Sequence, residues 1–167
     1  MHVHEVALSD GEGTSDLHVP IGNLGAASLS RSQDEGSAIH VKVRHSGTAL
    51  SELDLPAVRI LKVDIEGHEP EFFRGGREFL RGCPPDVIIF ESNDALYEQG
   101  EHVPLWERAG VLELRDLDYD IVRVSQRLGA LGPKLKSVEF GRDDAGLDFV
   151  AVHRPKYGEI ARLLAIS

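Results

Sequence analysis

The chain has 167 residues, 41% of them hydrophobic and 28% charged, with a net charge of -10. That length suits one domain with a sizeable core, and the acidic balance argues against nucleic acid as a partner, because phosphate backbones are repelled. No run of about 18 apolar residues occurs, so no membrane span is expected, and the single cysteine, Cys83, excludes an internal disulfide framework.

The first residues, Met1-His2-Val3-His4-Glu5, lack the charged-then-apolar pattern of a signal peptide. A reduced, cytoplasmic setting is therefore the expectation. Residues 3–8 read as a strand, followed by turn chemistry in Ser9-Asp10-Gly11-Glu12-Gly13 and a short strand over 15–19. Residues 21–36 form a Gly/Ser/Asn-rich loop containing Gly22-Asn23-Leu24-Gly25. Strict alternation over 39–44 predicts a half-exposed strand with Ile39, Val41 and Val43 inward. A short helix is expected at 48–54.

Residues 58–65 are nearly continuously apolar, as in a parallel strand covered on both faces. A helix is expected from Pro70, since proline suits the first turn, with Phe72, Phe73, Gly76, Phe79 and Leu80 on one face. Gly82 and Pro84-Pro85 end it. A second buried strand covers 86–91, a helix 104–115, a strand 121–124, a long polar segment 125–146 and a last strand 147–152. A helix through Tyr157, Ile160, Ala161 and Leu164 closes the chain. Two buried strands joined by a helical crossover indicate a parallel α/β sheet, with the last two strands antiparallel at its edge.

Chemistry concentrates in Lys62-Val63-Asp64-Ile65-Glu66-Gly67-His68-Glu69-Pro70-Glu71, where the apolar strand becomes a helix. Ligands of open α/β sheets sit outside the carboxyl ends of the strands. Alternation puts Lys62, Asp64 and Glu66 on one face, about 7 Å apart. A lysine in a buried strand needs a partner, and Asp64 or Glu91 is expected to provide one. Gly67 permits a tight turn, and His68 and Glu69 stand at the helix start. The cluster is compatible with a hard divalent cation, with acid–base work on a glycosidic bond, or with positioning and deprotonating a hydroxyl for group transfer. His2 and His4 share a strand face but lack a third ligand at sensible spacing, so no metal site is assigned.

The run from Lys62 to Glu69, then Phe73-Arg74-Gly75-Gly76, then a strand ending in Glu91, resembles the core signature of FkbM-type methyltransferases. Val6-Ala7-Leu8-Ser9-Asp10 with Gly13, Gly22-Asn23 with Ala27-Ser28-Leu29, Leu117-Asp118-Tyr119-Asp120, and residues 148–152 resemble flanking family motifs in the right order. The resemblance covers roughly residues 3–153. It implies a Rossmann-like, class I methyltransferase sheet in the order 3-2-1-4-5-7-6 and S-adenosylmethionine-dependent methylation of a sugar or secondary-metabolite hydroxyl. It further implies catalytic roles for Asp64, Glu66 and His68, acceptor binding by Lys62, Glu69 and Glu91, and cofactor contacts at Ala7 and Leu8.

The family's opening strand with its glycine-rich cofactor turn, and its second strand, have no counterpart in these residues. The expected α/β sheet is therefore incomplete, with strands 3 to 7 present and strands 1 and 2 absent. The expected domains are residues 1–155, the C-terminal portion of an FkbM-type methyltransferase domain, and 156–167, a C-terminal helix. Such a truncated chain is not expected to bind the cofactor with ordinary affinity, and the strand before Asp64 becomes an open edge. A homo-oligomer or a partner chain covering that edge is expected. The alternative function is a non-catalytic remnant or interaction domain pairing through the edge.

Overall fold

The computed structural model describes residues 2–22, 26–29, 36–92, 103–125, 134–137 and 148–164. In chain order these form β1 (Ala7–Ser9), β2 (Gly13–Pro20), β3 (Gly36–His45), α1 (Ser46–Ser51), β4 (Ile60–Val63), α2 (Glu69–Gly82) and β5 (Val87–Glu91). A 3-10 turn (Leu105–Glu107), α3 (Ala109–Asp116), β6 (Tyr119–Ser125), β7 (Lys134–Ser137), β8 (Asp148–His153) and α4 (Tyr157–Leu164) follow. Asn23, Leu24, Gly25 and most of the 125–146 segment lie outside the described residues.

The architecture is mixed α/β with two sheets. The larger has the order β4-β5-β8-β6-β7, and the smaller β1-β3-β2. The pair β4–β5 is parallel, bridged by α2, while β5–β8, β8–β6 and β6–β7 are antiparallel. In the small sheet β1 runs parallel to β3, and β2 antiparallel to it.

Helix α2 is the crossover that makes the β4–β5 pair possible. Pro70 opens it, Glu69 and Glu71 put negative charge at its positive end, and Arg81 puts positive charge at the other. It closes with the Cys83 amide donating to the Phe79 carbonyl at 2.8 Å, before Pro84. Its buried face carries Phe72, Phe73 and Leu80. Phe73 meets Phe72 and Phe90 edge-on at 5.5 and 5.9 Å, and Phe90 in turn lies 5.9 Å from Phe149. Each such ring contributes about 1.5–3 kcal/mol by burial, so this row of rings joins α2, β5 and β8.

Several boundaries differ from the sequence expectation. The helix expected over 104–115 is broken at Arg108, which has extended backbone and a buried side chain. Its guanidinium donates to the carbonyls of Val103 and Ser92 and lies 5.8 Å from the Phe149 ring centroid. The polar segment after residue 125 contributes β7, which takes the sheet edge and leaves β8 in the interior. Ile39 is not inward but 51% exposed. Its part of β3 pairs with Leu17 of β2, beyond the reach of β1, and Ile39 lines an open cleft. Among the described residues no strand pairs with the outer side of β4, and Ile60 is 65% exposed there.

The two sheets meet at α2. A Cβ on Gly75 would collide with the Ser9 carbonyl of β1, and one on Gly47 of α1 would lie 2.8 Å from the Gly75 carbonyl. Helix propensity alone favours alanine over glycine by about 1 kcal/mol. The collision outweighs that gain, so Gly75→Ala is expected to destabilise the chain by roughly 1–3 kcal/mol in urea unfolding. A stabilised variant would show that β1 does not dock against α2 in this way.

Candidate functional site

The turn between β4 and α2 is built around one buried carboxylate. Glu69 is 1% exposed, and its two oxygens accept the backbone N–H groups of Ile65 and Gly67, each at 2.9 Å. Its own amide adds a third donor. Burial still pushes its carboxyl above the ordinary value, more than these donors lower it. Between the two anchored amides, Glu66 is held at φ 54° and Gly67 at φ 94°. Left-handed backbone is unusual for a non-glycine residue and persists where the surroundings enforce it. Ser28, from the small sheet's loop, donates to the Glu66 carbonyl at 2.6 Å.

This turn presents the acidic cluster. Carboxylate oxygens of Asp64, Glu66 and Glu91 all lie within 4.8 Å of one another. Asp64 follows the end of β4, and Glu91 ends the neighbouring parallel strand β5. The Lys62 ammonium donates to Asp64 at 2.6 Å, which supplies the partner expected for that lysine. The bond to Asp64 raises the lysine's pKa, with smaller contributions from Asp148 and Glu91. Three converging carboxylates with one lysine can accept hydrogen bonds from a polyol or hold a hard cation through oxygen.

His68 is placed differently. Its Nε2 lies 2.9 Å from the Ser9 hydroxyl of β1, and its Nδ1 lies 3.6 Å from Glu71, too far for a hydrogen bond. Burial lowers its pKa, opposed by Glu71 and Asp10. Asp10 in turn binds Arg74 at 2.7 Å. Ser9, His68, Asp10 and Arg74 thus tie β1 to the start of α2.

A cleft of about 990 Å³ opens between the two sheets. Its walls include Ala7, Leu8, Leu17 and Val41 on one side and Leu61, Lys62, Val63, Asp64, His68 and Phe72 on the other. Of the residues singled out from the sequence, Ala7, Leu8, Lys62, Asp64 and His68 line this cleft, and Glu66 and Glu91 join Asp64 at its rim. Glu69, expected to bind an acceptor, is instead turned to the backbone. Sequence reading gave no chemical role to Ser9, Ser28 or Arg108; a serine at a strand end or in a small-residue loop carries no periodic signal, and only the tertiary contacts reveal them.

A family model described as the methyltransferase FkbM domain matches residues 2–121. The chain belongs to the FkbM methyltransferase family. No curated protein and no solved structure matches it. FkbM resemblance implies S-adenosylmethionine, whose adenine has flat apolar faces and whose methionine end is a zwitterion. The cleft of this FkbM chain offers apolar wall for a ring. Of the polar groups around it, the Ile65 and Gly67 amides of the turn before α2 are held by Glu69, Lys62 is bound to Asp64 and His40 lies 2.9 Å from Asp16, while Lys42 and His4 also line the cleft. Among the described residues no glycine-rich turn follows a buried strand, so the turn that the resemblance implies for the cofactor's methionine end is not among them.

The His68 placement has a pH consequence. A folded-state pKa below the ordinary imidazole value of 6.5 means that the unfolded chain takes up the proton first. The neutral ring's contribution is present above that value and is lost as pH falls through it toward the folded pKa. Denaturation is expected to show wild type losing more stability than His68→Gln between about pH 7.5 and about pH 5.5. Equal losses would show that His68 is not held neutral by burial.

Proposed function

We propose that this FkbM domain serves S-adenosylmethionine-dependent O-methylation, and that its residues form the acceptor side, binding a hydroxyl of a sugar or secondary metabolite. The single observation that carries this reading is the convergence of Asp64, Glu66 and Glu91 at the carboxyl ends of two parallel strands beside an open cleft. Family membership supports the methyl-transfer part. Asp64 accepts the hydroxyl proton, and Lys62 holds its carboxylate in place. Glu66 and Glu91 accept from neighbouring hydroxyls and orient the acceptor. Three carboxylates against one ammonium leave the site net negative, so a neutral polyol suits it better than a phosphorylated one. His68 acts from behind, through Ser9 and the α2 start, as a positioning residue.

Label transfer from millimolar methyl donor to a panel of neutral polyhydroxylated acceptors tests the activity. Asp64→Asn, which keeps the shape and removes the base, is expected to lower kcat by about 10²–10⁴-fold. Unchanged turnover would remove Asp64 from this role, and a wild type that labels nothing in the panel would count against the activity itself.

The open side of β4 favours a second, compatible reading, in which another copy pairs along that strand. Ile60 is the exposed apolar residue there. Light scattering is then expected to show a dimer that Ile60→Lys dissociates. A wild type that stays monomeric at about 100 μM, above the micromolar range of ordinary association, would exclude it.

A further inference from the structure

We infer that Ser28 is a positioning residue for the acidic cluster, keeping the Glu66 carboxylate beside Asp64 and Glu91 by clamping the Glu66 carbonyl from the opposite sheet. Of the three carboxylates, two are placed by strands. Asp64 follows β4 directly and Glu91 ends β5, so the parallel pairing of those strands sets them side by side. Glu66 alone stands on the turn, and its position depends on how that turn is held. Its backbone is left-handed, with φ 54°, and Gly67 follows at φ 94°. A non-glycine residue relaxes from that region to negative φ unless its neighbours prevent it. Relaxation would rotate the Glu66–Gly67 peptide and swing the Glu66 side chain away from the other two carboxylates.

That peptide is gripped at both ends. Its N–H, on Gly67, donates to Glu69 at 2.9 Å, and its carbonyl, on Glu66, accepts the Ser28 hydroxyl at 2.6 Å. Glu69 belongs to the same segment and moves with it, whereas Ser28 is 38 residues away along the chain. Ser28 is itself fixed. It is 1% exposed, its N–H donates to the His18 carbonyl of β2 at 3.0 Å, and its carbonyl accepts the His18 N–H at 2.9 Å. A line of contact thus runs from β2 through Ser28 to the residue whose side chain completes the cluster. The small sheet's other hydroxyl contacts, Ser46 to the Ser9 carbonyl and Ser9 to His68, do not touch this peptide.

The inference rests on the acceptor reading only for what the cluster does; the clamp is independent of it. Terbium(III), titrated calorimetrically into the chain, serves purely as a reporter of converging carboxylate oxygens. The relevant binding is the part that Asp64→Asn abolishes, and in wild type it is expected to saturate below about 1 mM. Ser28→Ala is expected to weaken it about fivefold, the effect of one ordinary hydrogen bond. Ser46→Ala removes a comparably buried hydroxyl bond from the small sheet and should leave it unchanged. A wild type without Asp64-dependent binding, a folded Ser28→Ala chain with wild-type affinity, or an equal loss in Ser46→Ala would each overturn the inference.

Where Ser28→Ala does not fold, Ser28→Cys decides, since it fills the space with a weaker donor: weakened binding supports the clamp and unchanged binding overturns it. The acceptor reading fails separately. Label transfer to the acceptor panel with unchanged terbium binding in Ser28→Ala would leave methyl transfer standing and remove the clamp. Weakened terbium binding with no label transfer would do the reverse.

Discussion

The buried Glu69 carboxylate is the constraint on which the acidic site depends. A carboxylate taken out of water is stable only when donors replace the lost solvation, and here the donors are backbone amides of the very turn that carries Asp64 and Glu66. The requirement works in both directions. Glu69 needs Ile65 and Gly67 to curl around it, and the curl forces Glu66 into left-handed backbone. A glycine at 67 is required because its φ of 94° is closed to other residues. The sheet supplies the other half of the arrangement: parallel pairing of β4 and β5 brings Val63 opposite Phe90, so Asp64 and Glu91 leave their strands side by side.

The small sheet is attached to this turn by polar contacts more than by apolar ones. Ser28 reaches the Glu66 carbonyl, Ser9 reaches His68, and Asp10 reaches Arg74. The apolar contribution comes from Leu8 of β1, packed against the main core cluster that includes Leu50, and close backbone approach adds to it, in which Gly75 lets α2 lie against the Ser9 carbonyl and Gly47 lets α1 lie against α2. Hydrogen bonds of this kind contribute about 1 kcal/mol each, far less than the ring cluster that holds α2 to the large sheet.

Elements with a strong local period were legible in the sequence. The apolar face of α2 and the continuous apolar runs of β5 and β8 fixed their type and position because burial on one or both faces imposes that pattern. The acidic cluster was legible for a related reason: a lysine and two acids in an apolar strand have no place in a core. What the sequence concealed depends on contacts distant along the chain. Ile39 alternates correctly yet is 51% exposed, because it lines the open cleft. Arg108 interrupts a helical period because its guanidinium is needed 16 residues back, at the Ser92 carbonyl. Glu69 is expected from the resemblance to bind an acceptor, and only its 1% exposure and its two amide partners reveal that it is turned to the backbone.

The open edges of the two sheets bear on the same cleft. β1 ends the small sheet and β4 ends the large one, and residues of both line the space between them. Both edges are short, three and four residues, and β4 places Lys62 on its exposed side. Short length and a charged side chain are the usual protections of an unpaired strand, and Lys62 serves both purposes, guarding the edge while its ammonium holds Asp64. Any strand that paired along β4 would lie next to that ion pair and would set the width of the cleft above the carboxylates. The geometry of the acidic cluster is thus fixed from within by Glu69, while the shape of the space it faces is set by whatever lies along β1 and β4.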